Sequence, residues 1–208
     1  RGLLMYHQAA ALYHLRAEEL APALAHAEAS LQVSQEIGYP YGEVWARHWL
    51  AQVLPAKGEW KKAAAQVERA VRMTPQTGST ILAYLNLMVQ AQFSLDRGED
   101  SLGQAFLSEG LRLGREQGYF GVIDRFLSPS TLSKLCARSL ETGVEVEYVQ
   151  KLIRMQKLNP PTPVFGFENW PWPIKIYTLG RFEILRNGEP LQFSRKVQKR
   201  PLEMLKIL

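Results

Sequence analysis

Cysteine is close to absent from this chain. Cys136 stands alone among 208 residues, so no intrachain disulfide can form and a reducing cytoplasm is the expected setting. Long apolar runs are missing as well. Nothing approaches the ~20 consecutive residues that cross a bilayer, and no basic-then-apolar leader opens the chain. A membrane partner is therefore not expected. Catalytic punctuation is missing too: there is no Gly-rich phosphate loop closing on Lys-Ser/Thr, no GxGxxG and no GxSxG. The histidines, His7, His14, His26 and His48, show no metal-ligand spacing with one another or with Cys136. His7 and His14 can share a helical face, where ordinary surface or groove positions account for them. Cys136, among Leu132, Leu135 and Leu140, reads as a buried structural thiol rather than a nucleophile. No catalytic residue, metal or cofactor is expected in these residues, and the chain is not expected to be an enzyme.

What is present is an ordinary globular composition, 46% hydrophobic and 22% charged, with length for one large or two small domains. The net charge of +5 is uneven. Positions 165–208 hold eight Lys/Arg against four Asp/Glu, and positions 1–164 hold 17 against 16. A basic C-terminal end suits a nucleic-acid-facing segment. The chain opens on Arg1 rather than methionine and closes on what reads as an unfinished helix. The expectation is a piece of a longer protein.

One spacing organises the rest. Lys57-Gly58-Glu59-Trp60 recurs as Arg97-Gly98-Glu99-Asp100, and Glu36-Ile37-Gly38-Tyr39 recurs two such steps on as Glu116-Gln117-Gly118-Tyr119. The same step aligns Leu31 with Val71 and Leu111, Ala25 with Ala65 and Ala105, and Ala11 with Ala51 and Ala91. Large and small residues in separate registers are what stacked αα-hairpins require, since small residues let helices approach and large ones fill the gap beside them. The pairs are expected at 3–17 with 18–37, 41–56 with 59–73, and 79–97 with 99–117. Their stops are expected at Gly38-Tyr39-Pro40, Gly58, Thr74-Pro75, Gly98 and Gly118. A drifted fourth pair is expected over 130–140 and from Val146, as suits the end of a stack.

Asn159-Pro160-Pro161-Thr162-Pro163 cannot be helical and reads as a stiff linker. Beyond it the apolar period changes to two. Ile174, Ile176 and Thr178, then Phe182, Ile184 and Arg186, predict two strands. Asn187-Gly188 predicts a two-residue hairpin turn, Leu191–Phe193 a third strand, and Pro201 the start of a helix. Trp170-Pro171-Trp172-Pro173 is expected to dock this sheet on the last helices. The organisation predicted is a helical-repeat domain over 1–158, a Pro/Trp-rich linker over 159–173 and a small sheet with a helix over 174–208.

Two sets of residues are candidate sites. The first helices of the pairs carry Tyr6, Trp45, Arg47, His48, Trp49, Tyr84 and Asn86. Aromatic faces beside polar groups suit a peptide or small-molecule effector in a groove, while Trp45 and Trp49, at i and i+4, taken singly fit better as filling of the space between repeats. Arg195, Lys196, Lys199 and Arg200 suit phosphate contacts or a solvated loop.

Two stretches carry a family resemblance. Residues 143–154, Gly-Val-Glu-Val-Glu-Tyr-Val-Gln-Lys-Leu-Ile-Arg, resemble the last helix of the repeat sensor in large MalT-like, ATP-dependent bacterial transcriptional regulators. Residues 174–184 followed by Arg195-Lys196-Val197-Gln198-Lys199-Arg200-Pro201-Leu202-Glu203-Met204-Leu205-Lys206 resemble the opening of an OmpR/PhoB-type winged helix, which also begins the bacterial transcriptional activator family. The resemblance implies a TPR-like αα-hairpin solenoid that senses an effector, joined to an incomplete winged-helix domain. It also implies an upstream ATP-hydrolysing domain outside these residues. In such a module the opening sheet and first helix are scaffold, and the recognition helix and wing come later. No base-reading or ATP-binding residue is carried over. DNA is thus the implied partner of the longer protein, and a protein or small molecule that of the repeats. The competing reading is a protein–protein interaction scaffold with no DNA-binding role. In the winged-helix reading the truncated sheet leaves Leu202, Leu205 and Leu208 in need of cover from the repeats or from a second copy of the chain, which would make a homodimer.

Overall fold

A computed structural model describes residues 2–123, 126–161, 169–178 and 183–191. The chain divides into two compact units, residues 1–167 and 168–208. The first is helical and the second holds a small antiparallel sheet. The division at residues 167 and 168 falls inside the stretch 159–173 that the sequence marks as a linker.

Eight α-helices are present among the described residues: α1 (Gly2–Arg16), α2 (Leu20–Glu36), α3 (Pro40–Val53), α4 (Trp60–Thr77), α5 (Thr80–Asp96), α6 (Asp100–Gln117), α7 (Pro129–Thr142) and α8 (Val146–Gln156). From α1 to α6 each helix packs on the next, and α7 packs on α8; α1, α3, α5 and α7 also touch in series. The stops recur at an even interval. Glu18, Gly38, Gly58, Gly78, Gly98 and Gly118 all have positive φ, between 59° and 75°. A left-handed residue just past a helix end turns the chain back and lets its N–H reach a carbonyl of the last turn. Gly38 N–H, for example, donates to Gln35 O at 3.2 Å.

Two boundaries differ from the sequence-based expectation. α4 does not stop at Thr74-Pro75 but runs through Pro75 to Gly78. Proline removes one N–H and crowds the preceding turn. Here two threonine hydroxyls serve carbonyls around the defect: Thr74 Oγ1 donates to Ala70 O at 2.9 Å, and Thr77 Oγ1 to Thr74 O at 2.7 Å. α3 in turn ends at Val53, not at residue 56. Pro55 tightens the chain into a 3-10 turn, Leu54–Lys57, closed by Gly58.

The registers also separate more finely than expected. Ala11, Ala51 and Ala91 are buried, but Ala25, Ala65 and Ala105 are exposed. The small residues that permit close approach on the second helices sit two places earlier, at Ala23, Ala63 and Gly103, and then at Ser34, Thr74 and Gly114. Two residues turn a side chain about 200° round a helix, from the outer face to the packed one. Gly114 is the tightest case. A Cβ there would stand 2.5 Å from Tyr148 Oη and 2.8 Å from Tyr84 Cε2.

In the second unit, β1 (Ile174–Tyr177) pairs antiparallel with β2 (Glu183–Arg186), and β2 with β3 (Glu189–Pro190), in the order β1-β2-β3. Ile176 faces Ile184 across the ladder. Asn187 (φ 54°) and Gly188 (φ 88°) make the turn read from the sequence. β3 begins at Glu189, earlier than the expected Leu191, because a two-residue turn pairs Arg186 with Glu189 at once. The ladder still reaches Leu191, whose N–H donates to Ile184 O at 2.8 Å. Phe182, Gln192 and Phe193, and the helix expected from Pro201, lie outside the described residues. Trp170 is buried within the stretch Trp170–Pro173.

Candidate functional site

The face of α3 is the richest in function-bearing side chains. Trp45 and Trp49, one turn apart, meet edge to face at 5.6 Å between ring centroids. Trp45 also lies under Phe126, with centroids 3.7 Å apart. Gln52, two turns on from Trp45, donates from Nε2 to Phe126 O at 2.6 Å and to His48 O at 3.1 Å. The connector between α6 and α7 thus lies across α3. Its other end is held by α8: Tyr148 Oη donates to Tyr119 O at 2.6 Å, Gln156 Nε2 to Phe120 O at 2.6 Å, and the Lys151 ammonium sits 4.4 Å from the Phe120 ring. Ile123, Phe126 and Leu127 are buried. Neither the repeat spacing nor any motif assigns this connector a role. The apolar run Tyr119-Phe120, Val122-Ile123, Phe126-Leu127 is the signal that could find it.

The seven groove candidates divide by exposure. Tyr6 is exposed and Trp45 half-buried, whereas Arg47, His48, Trp49, Tyr84 and Asn86 are buried. The structure brings Trp45, with Trp49 packed on it, to the connector, and it sets Tyr6 elsewhere, edge-on to His7 and His26 at 5.2 and 5.6 Å. Arg47 is tied into an ion pair with Glu43 one turn back, and its Nη1 donates to Gln66 Oε1 at 2.5 Å. Asn86 Nδ2 donates to Thr74 Oγ1 at 2.6 Å. His48 makes no well-formed hydrogen bond through either ring nitrogen. Burial pushes its pKa down to about 4, with the Asn86 side chain pulling the other way, so the imidazole is neutral at pH 7. Burial and the nearby Tyr148 raise Tyr84 well above the ordinary phenol range, and burial pushes Tyr148 up to about 12. These groups pack helix on helix. Of the candidates on α3 and α5, Trp45 alone keeps part of its surface exposed.

The remaining histidines form a cluster that sequence spacing does not reveal. His7 Nδ1 and His26 Nδ1 are 3.0 Å apart, and the His14 ring stacks on His26 at 5.6 Å with an interplanar angle of 1°. His14 Nδ1 also meets Glu19 Oε2 at 2.5 Å. Desolvation, then His7 and His14, lower the His26 pKa. His26 joins the pair only through the register of α1 on α2, which the spacing within one helix cannot show. Among the described residues no group of three or more His, Cys, Asp or Glu side chains is placed to hold a metal ion. Burial pushes the Cys136 thiol up to about 12, which keeps it protonated. A cleft of about 490 Å³ lies between the start of α7 and the end of α8, lined by Ser133, Lys134, Gln156 and Asn159 among others. It is separate from the α3 face.

Arg195, Lys196, Lys199 and Arg200 lie outside the described residues. No described helix is long and apolar enough to cross a membrane. No family model matches the chain, and neither a curated protein nor a solved structure matches it.

Proposed function

We propose that the chain belongs to a cytoplasmic bacterial transcriptional regulator of the MalT-like kind. The helical unit is its TPR-like sensor and the sheet begins its winged-helix DNA-binding domain. The observation that carries this reading is the order of parts: helices stopped at evenly spaced left-handed residues from Glu18 to Gly118, a proline run, then an antiparallel sheet turned at Asn187-Gly188. A protein or small-molecule effector would favour one packing of the helices over another and so shift the population of the active regulator. The α3 face is the place to engage it, because Trp45 is half-exposed and backed by a connector whose displacement changes the contacts of α3 and α8 together.

DNA selection tests the reading. The longer gene product that carries these residues, offered a random duplex library, enriches a single sequence motif; no enrichment over a bead control overturns it. The chain of 208 residues by itself is expected to bind duplexes only weakly, with dissociation constants of about 10⁻⁶ M or higher and a steep salt dependence. A thermal-shift screen of the longer protein against candidate inducers and peptides tests the sensing half, and the absence of any shift counts against it.

A further inference from the structure

In α3 and α5, one stripe of side chains faces the helix before it. The stripe is Trp45, Ala46, Trp49 and Val53 in α3 and, one repeat later, Leu85, Asn86, Val89 and Phe93 in α5. In α3 it meets α2. Trp49 and Val53 share a core cluster with Ala23 and Ala27, and one turn earlier a Cβ on Gly42 would stand 2.7 Å from Ser34 Oγ. In α5 it meets α4: Asn86 bonds Thr74, and the Phe93 ring lies 5.7 Å from Trp60. Six of these eight side chains are buried, with Val53 and Leu85 at 0% exposure and Trp49 and Val89 at 2%, while Phe93 and Trp45, the latter under Phe126, are partly buried. One repeat before α3 the same stripe is Met5, Tyr6, Ala9 and Tyr13 of α1, and it faces water: Met5 is 67% exposed, Tyr6 59% and Tyr13 66%.

We propose that this face of α1 is a docking surface for the second helix of another αα-hairpin of the same repeat. Continuity with the α2–α3 and α4–α5 interfaces says what fits it. Each of those partner helices turns small residues toward the stripe, Ser34 from α2 and Thr74 from α4, in a row begun by Ala23 and Ala63. Small side chains let the large ones of the facing stripe lie against the helix backbone. The occupant is therefore an amphipathic helix with small residues at i, i+7 and i+11, as in Ala23, Ser30 and Ser34. A helix that closes a repeat stack carries a polar outer face. Methionine and two tyrosines in the stripe make α1 an internal surface instead. The docking surface rests on the repeat register alone and stands or falls apart from the regulator reading.

The test adds one hairpin. Duplicating residues 1–40 ahead of Arg1 keeps the repeat register and sets a copy of α2 over the native α1. The extended chain is expected to gain the helical signal of a folded hairpin and to melt about 5 °C higher than the parent. Met5→Glu with Tyr13→Glu in the covered α1 removes the gain. The same pair in the parent leaves its Tm within about 1 °C, because there both side chains already meet water. An added hairpin that stays unfolded by circular dichroism, or that folds without raising Tm, overturns the proposal. So does a parent dimer in sedimentation equilibrium that Tyr13→Glu abolishes, since a second copy would then be the occupant.

Discussion

His48 and Arg47 are neighbours in sequence that test burial in opposite ways. His48 is 0% exposed with a pKa lowered from 6.5 to about 4, so folding favours the neutral ring. A depressed folded pKa means that stability is full above pH 6.5 and is lost as the pH falls toward 4. The loss at pH 4 should be about 3 kcal/mol, since each tenfold change in proton affinity is worth about 1.4 kcal/mol. His48→Met, of similar volume and with nothing to titrate, should flatten that part of the profile. Urea midpoints from pH 7.5 to 4 measure it, and a slope unchanged in the variant would show that other groups carry the acid sensitivity. The Arg47 guanidinium is met inside by Glu43 and Gln66, the Arg47 and Glu43 side chains being 5% and 12% exposed. Arg47→Met leaves the Glu43 carboxylate without its cation and should cost about 3 kcal/mol, while Arg47→Met with Glu43→Leu should recover most of the loss. A double variant as unstable as the single would mean that packing, not charge, dominates. Both residues are visible in the sequence as polar groups on a first helix. Whether they face solvent or a neighbour depends on which helix lands on them, and that is set by contacts 19 residues away for Arg47 with Gln66 and 12 residues away for Asn86 with Thr74.

Helix ends are the most legible elements. Glycines at 38, 58, 98 and 118 mark stops on sequence alone because only glycine takes a positive φ without strain. Gly78 is masked by Pro75, which offers a plausible earlier stop, yet proline in the last turn of a helix forfeits only one hydrogen bond before the chain ends anyway. The positive-φ series makes the exception informative. Glu18 occupies the same place as the glycines with φ 59°, where a side chain is strained. Glu18→Gly should therefore stabilise the chain by about 1 kcal/mol, despite the larger backbone entropy lost on folding. Thermal melts settle the sign. A lower Tm would mean that the Glu18 side chain supports the α1–α2 turn more than its backbone strains it. The connector over α3 is illegible for a different reason. It has no period, and only the fold shows that Phe126 closes on Trp45 from far along the chain.

From α1 to α6 neighbours in space are mostly neighbours in sequence, the connector on α3 being the exception, so stability there is close to a sum over adjacent pairs. α3 and α5 are packed on both sides. They should open only with the whole unit. α1 lacks a neighbour on the Met5–Tyr13 side, and its contacts are to α2 and α3 alone among the described helices it packs on extensively. It also holds the strained Glu18 turn and shares with α2 the histidine cluster, in which desolvation and the neighbours His7 and His14 lower the His26 pKa. That lowered pKa has the same sign as His48: stability contributed above the ordinary histidine range is lost on acidification. Each of these features weakens the α1–α2 end relative to the middle. Amide hydrogen exchange should show α1 opening at least tenfold more often than α3 and α5 at about pH 7, a gap of about 1.4 kcal/mol in local stability. The gap should widen at about pH 5.5, where more of His26 is charged. Uniform protection from α1 to α5 would mean that the unit opens only as one cooperative block, and that the exposed stripe on α1 carries no energetic consequence until something docks there.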